Sequence, residues 1–137
     1  MHSARAFANQ YRQTGASSAI LDASPHQLVT LMLGGARERV QLAMACLQRG
    51  DLARKAQAIS SASGIIGGLN STLDMKAGGE IAEGLHALYD YFQRRLLEAN
   101  GNNDAAPLAE VDELLGDIEQ AWRAIDPAAA APVDGTQ

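Results

Sequence analysis

The chain is poor in strand-forming residues. It has two Phe, three Tyr and one Trp among 137 residues, and valine occurs only at positions 29, 40, 111 and 133. Because aromatic and β-branched side chains favour strands, their scarcity argues against a β-sandwich or barrel. Hydrophobic residues still make up 47% of the chain, mostly Leu, Ile, Met and Ala, which favour closely packed helices. One domain of ordinary size is expected.

Other absences exclude whole classes of protein. Cys46 is the only cysteine, which excludes an internal disulfide framework and fits a reducing compartment. The net charge is −5 and the arginines are scattered, so there is no electrostatic footprint for nucleic acid. No apolar run approaches the roughly 20 residues that span a bilayer, and the first residues lack the apolar core of a secretory signal. We therefore predict a cytoplasmic protein that binds no nucleic acid and is not inserted in a membrane.

The first clear helix begins at a capping signal. Ser24 is suited to the N-cap, Pro25 to the first helical position, and Gln27 completes a capping box with Ser24. The apolar pattern predicts a helix from Pro25 to about Arg49, ended by Gly50.

Three further helices follow in the pattern. Asp51 is a predicted N-cap for the second, Gly78-Gly79 is predicted to break the chain before the third, and Asp104 is a predicted N-cap for the fourth. Short connections between long helices force antiparallel neighbours. The fold class predicted is all-α, an antiparallel up-down four-helix bundle.

The predicted organisation has three parts. Residues 1–23 read as an N-terminal arm with a short helix, because Gly15 and Ser17-Ser18 interrupt the pattern before the bundle begins. Residues 24–126 form the bundle. Residues 127–137 lack large apolar side chains and are predicted to be a disordered tail.

The apolar face of the first helix is too wide for one core. Its first two turns carry apolar side chains over an arc of about 200°, whereas an ordinary bundle helix buries a little over 100°. Either the N-terminal arm folds back over this surface, or the surface is a groove for an amphipathic partner helix. The predicted groove and its cap consist of Phe7, Tyr11, Ile20, Leu28, Leu31, Leu33, Ile65 and Leu69.

The chain offers little for catalysis. Glu83-x-x-His86 places two metal ligands on one helical face, but a di-iron bundle needs a second copy and two more glutamates. No phosphate-binding loop or nucleophile elbow is present. We predict that the protein is not an enzyme and binds neither a metal nor a cofactor. A metal-binding or cofactor-binding bundle around Glu83 and His86, and a self-assembling structural bundle, remain the alternatives.

Six segments together resemble the FliS family of flagellin export chaperones. The resemblance covers roughly residues 6–125. Single segments are weak signals, but their joint order and spacing are specific. The segments are ANQY at 8–11, ASPHQLV at 23–29, LDMKAGGEIA at 73–82, LYDY at 88–91, RRLLEAN at 94–100 and AW at 121–122.

The resemblance implies a helical bundle that binds the disordered C-terminal region of flagellin. Such a chaperone prevents premature polymerisation in the cytoplasm and helps deliver flagellin to the flagellar type III export apparatus. In the family, the client lies in hydrophobic grooves and the N-terminal segment can cover part of that surface, a role that here falls to Tyr11. A weak homodimer is a further expectation. One departure is Leu33-Gly34, which stands where family members commonly have Tyr and an acidic residue.

Overall fold

The computed structural model describes residues 22–125, which form four α-helices. The helices are α1 (Pro25–Arg49), α2 (Leu52–Ser71), α3 (Met75–Asn102) and α4 (Ala105–Ala124). The connections are two or three residues long, so consecutive helices run antiparallel. This confirms the predicted all-α bundle. Residues 1–21 of the predicted arm, with Phe7, Tyr11 and Ile20, and the predicted tail lie outside the described residues and stay predictions.

The bounds of α1 follow from its caps, as predicted. The Ser24 side chain accepts a hydrogen bond from the Gln27 backbone N–H, and the Gln27 side chain accepts one from the Ser24 N–H. At the other end Gly50 adopts a left-handed conformation, with φ of 77°, that is accessible to glycine at little cost. The helix continues without a break through Gly34 and Gly35.

The start of α3 differs from the prediction. Gly78-Gly79 does not precede the helix, because Asp74 acts as N-cap and its carboxylate accepts hydrogen bonds from the Lys76 and Ala77 N–H groups. One turn of helix therefore forms before the glycines. Gly79 then has φ of 53° and ψ of −130°, which kinks the helix instead of beginning it.

The four helices form a ring in which α1 and α3 lie on one diagonal. Helix α1 packs mainly on α2 and α4, and α3 packs on the same two helices. The core between them is aliphatic except for Tyr89 and Phe92, whose rings meet edge to face at 6.2 Å. Cys46 is fully buried, as expected for a structural thiol. None of the four helices is long and apolar enough to cross a membrane.

Lys55 is the one charged side chain buried in the described part of the chain, at 4% exposure. Its ammonium group donates to the Asn100 carbonyl at 3.0 Å and to Asn103 Oδ1 at 2.6 Å. Both acceptors belong to the C-terminal end of α3, where carbonyl groups lack helical partners. The first turn of α2 is thereby joined to the last turn of α3.

Candidate functional site

An apolar groove lies at one end of the bundle, and we call it the end groove. Its volume is about 620 Å³, and it forms where the first turns of α1, the α2–α3 connection, the start of α3 and the end of α4 meet. The lining residues are Pro25, His26, Leu28, Val29, Met32, Leu33, Thr72, Leu73, Asp74, Ala77, Gly78, Ile81, Ala82, Leu85, Tyr89, Ile118 and Trp122.

The kink at Gly79 shapes one wall of the end groove. The turn before the kink contributes Ala77 and Gly78, and the helix after it contributes Ile81, whose side chain is 77% exposed. Ile81 thus adds an exposed apolar side chain to the edge of the apolar depression.

The opposite wall is held by a pair of aromatic rings far apart in sequence. The His26 imidazole stacks on the Trp122 indole, with ring centroids 4.4 Å apart and planes 8° apart. The indole Nε1–H also donates to the His26 backbone carbonyl at 2.9 Å. The end of α4 is thus joined to the start of α1, and both rings face the end groove.

Tyr89 places a phenol at the base of the end groove. The residue is 3% exposed, and burial raises the pKa of its hydroxyl to about 12. The hydroxyl therefore stays protonated at neutral pH. The Thr72 hydroxyl and the Asp74 carboxylate are both engaged with backbone groups nearby. Asp74 is the only formally charged lining residue, so the end groove suits an apolar occupant.

The structure separates the predicted site residues. Leu28 and Leu33 line the end groove, with Leu28 half-buried and Leu33 forming part of its floor. Leu31 faces another depression, between α1 and α4. Ile65 and Leu69 lie in the core with 4% and 1% exposure, so their side chains are not accessible to a partner in this structure. In helix two the apolar residues face inward because α2 packs against both α1 and α3.

Of the 17 lining residues, only Leu28 and Leu33 belong to the predicted site. The large apolar side chains that the prediction missed include Leu73, Ile81, Leu85 and Trp122, which follow the apolar periodicity of their helices, and Leu73, Ile81 and Trp122 lie near helix ends. Stripe residues near helix termini have fewer neighbours to bury them than those in the middle. Their position was the signal that could have assigned them to an open surface.

The α1–α4 depression, about 700 Å³, has charged side chains in its lining, among them Glu38, Glu119 and Arg123. Arg37 on α1 donates to Asp112 at 2.9 Å and to Glu119 at 3.2 Å, and Arg123 donates to Glu119 at 2.9 Å. Burial alone would raise the pKa of Glu119, but the hydrogen bonds from Arg123 and Arg37 outweigh it and lower the pKa. This network joins α1 to α4 beside the depression and carries no reactive group.

The alternative of a metal-binding bundle around Glu83 and His86 requires a cluster of ligands, and residues 22–125 contain none. No group of three His, Cys, Asp or Glu residues there is close enough to hold an ion. Glu83 and His86 are both exposed. The His86 ring lies 2.8 Å from Asn70 Oδ1 through Nδ1 and 3.4 Å from Asp90 through Nε2. This arrangement is an ordinary solvated surface pair.

Comparison with known proteins identifies the family. The family model described as "Flagellar protein FliS" matches residues 7–129. The flagellar secretion chaperone FliS of Salmonella typhimurium is 46% identical over 88% of this chain and 90% of its own length. The flagellar secretion chaperone FliSB of Pseudomonas aeruginosa is 40% identical over 85% and 92%, and FliS of Bacillus subtilis is 35% identical over 74% of each chain. The family model and these relatives match nearly the whole of this chain, which folds as a four-helix bundle with an apolar end groove. The chain therefore belongs to the FliS family of flagellar secretion chaperones.

Proposed function

We propose that this protein is a cytoplasmic chaperone that binds the disordered C-terminal region of flagellin. Binding prevents premature polymerisation, and the complex is handed to the flagellar type III export apparatus. The observation that carries the proposal is the end groove, a mainly apolar depression of about 620 Å³ with Asp74 as its one formally charged lining residue, in a chain of this family.

The energetics require a client contact wider than the end groove. Ordering a 12-residue client segment costs roughly 12–24 kcal/mol in backbone entropy. At about 25 cal/mol per Å², offsetting that cost takes about 500–1000 Å² of buried apolar surface. We therefore expect the client to continue along the bundle past Leu97 or Leu42, which are 73% and 50% exposed and border smaller depressions.

No nucleotide is needed in this mechanism. The chaperone stabilises a client conformation through contacts alone, so release follows from competition at the export apparatus. Among the described residues, no group of three His, Cys, Asp or Glu side chains could hold a metal ion. As a member of this chaperone family, the protein acts by mass action and not as an enzyme.

The test is calorimetric binding of a peptide that spans the flagellin C-terminal region. Ile81→Glu places a charge at the exposed lip of the end groove and is expected to weaken binding at least about tenfold. Leu52→Glu is the matched control, because Leu52 is 46% exposed at the opposite end of the bundle. Absence of any complex with the unaltered chain at micromolar concentration would refute the proposal. If Ile81→Glu and Leu52→Glu weaken client binding equally, the client does not bind at the end groove.

We further propose that residues 1–23 form a displaceable cap, with Phe7, Tyr11 and Ile20 as its apolar contacts. Deletion of residues 1–15 is expected to change client affinity and to increase self-association, because an apolar surface is uncovered. Sedimentation at several concentrations would detect a weak homodimer. Unchanged affinity and unchanged sedimentation would contradict the cap.

A further inference from the structure

His26 has a buried nitrogen without a partner. Its Nε2 atom is inaccessible to solvent and makes no hydrogen bond in the structure. Buried polar atoms are nearly always paired, because leaving one unpaired forfeits its hydration without replacement. No other described side-chain N or O atom is in this condition. The exception lies in the wall of the end groove.

The position of the His26 ring is set by contacts that leave this nitrogen unused. The ring plane is held against Trp122, and the backbone is held by the indole N–H and by the capping box of α1. These contacts place the ring without satisfying Nε2. Because Nε2 has almost no exposed surface, a ligand atom can reach it only when the groups that cover it move aside, and pairing would then satisfy a nitrogen that is unpaired in the free protein.

The surroundings select the chemistry of that ligand atom. The other polar side chains at this end are engaged, since Thr72 donates to a carbonyl of α2 and Asp74 accepts from two N–H groups of α3. An anionic occupant would meet the Asp74 carboxylate, and a cationic one would lose its hydration for a single carboxylate that already accepts two hydrogen bonds. Amide and hydroxyl groups are uncharged and both donate and accept, so they match the imidazole nitrogen in either tautomer.

We propose that His26 Nε2 is the polar anchor of the end groove and selects a flagellin segment that carries an amide or hydroxyl side chain within its apolar face. The inference rests on the proposed function and adds a specificity-determining residue to it. The apolar walls supply affinity for any amphipathic helix. The anchor sets which helix fits and in which register, because a segment without the polar group leaves the nitrogen buried and unpaired.

The test combines chaperone variants with client variants. His26→Phe keeps an aromatic ring against Trp122 and removes the nitrogen, whereas His26→Gln keeps a hydrogen-bonding group. Each Asn, Gln, Ser and Thr of the client peptide is replaced in turn by an apolar residue of similar size. Affinities are measured by calorimetry with the full chain, and Leu28→Ala is the control that changes apolar contact alone.

One client position is expected to couple to His26. Its replacement should weaken binding to the unaltered chain about 5- to 15-fold and have no further effect on His26→Phe. Binding to His26→Gln should stay closer to that of the unaltered chain, and Leu28→Ala should show no such coupling. Urea unfolding reports whether each variant folds. If His26→Phe does not fold, the comparison of His26→Gln with the client replacements decides the question.

Two results would overturn the anchor. One is a folded His26→Phe that binds every client variant as the unaltered chain does. The other is that every client replacement weakens binding to His26→Phe as much as it weakens binding to the unaltered chain. Absence of client binding by the unaltered chain would instead refute the proposed function itself, and is read from the same titration.

Discussion

Replacing Lys55 by Met tests whether a buried ammonium group holds α2 against α3. Its hydrogen bonds to the Asn100 carbonyl at 3.0 Å and to Asn103 Oδ1 at 2.6 Å are both made by a charged donor. Each such bond contributes about 1.5–3 kcal/mol. Opposing them is the cost of desolvating the ammonium, several kcal/mol in buried sites, which the Met variant does not incur.

The net effect of Lys55→Met on the free energy of unfolding depends on what happens to the two hydrogen-bond acceptors. Asn103 is exposed, so water replaces the lost bond to its amide, whereas the half-buried Asn100 carbonyl is left poorly paired. We expect Lys55→Met to lower the free energy of unfolding by about 1–3 kcal/mol. The loss should be accompanied by faster amide exchange in the last turn of α3.

Urea unfolding followed by far-UV circular dichroism measures this difference. Lys76→Met is the matched control, since Lys76 is the only other lysine and its side chain is exposed at the start of α3. A change below about 0.5 kcal/mol is expected for the control. A Lys55→Met protein as stable as the unaltered chain, or more stable, would show that apolar packing replaces the buried cation at no cost and would refute the reasoning.

Two further perturbations address the α1–α4 network and the α3 kink. The pKa of Glu119 is lowered, against the effect of burial, by hydrogen bonds from Arg123 and Arg37, so the folded state gains stability above the unfolded pKa near 4.5 and loses it as pH falls through the folded value. Glu119→Gln should therefore flatten the loss of stability below about pH 4.5, and equal pH profiles in urea titrations would contradict this. Gly79→Ala should destabilise by at least about 1 kcal/mol because of its positive φ, whereas Gly84→Ala in the same helix, with open space around it, should stabilise by up to about 1 kcal/mol. Thermal shifts of the same sign in both variants would show that the kink does not depend on Gly79.

The helix bounds were predictable because capping is local. Ser24, Gln27 and Gly50 act within one turn of the helix ends, so their sequence pattern carries the geometry with it. The error at α3 arose from giving Gly78-Gly79 more weight than Asp74. An acidic N-cap four residues earlier was sufficient to begin the helix, and the glycines became a kink inside it.

The site was predicted only in part because helical periodicity does not say what covers an apolar face. Leu28 and Ile65 look alike in the pattern, yet one lines the end groove and the other is 4% exposed in the core. The wide apolar arc of α1 did indicate an open surface. The other walls of the end groove come from the ends of α2, α3 and α4. The apolar pattern of one helix does not show that these ends lie together.

The sequence by itself determined the class of fold, the bounds of α1 and the family resemblance, because propensity, caps and motif order act over a few residues at a time. The tertiary structure decided three things that depend on residues distant along the chain. It buried Lys55 against the end of α3, stacked His26 on Trp122 across 96 positions, and left the end groove open. Each of these features exists because particular helix ends meet in the folded bundle. Since the chain has few aromatic residues, the walls of the end groove are mainly aliphatic, and one wall contains the unpaired imidazole nitrogen of His26.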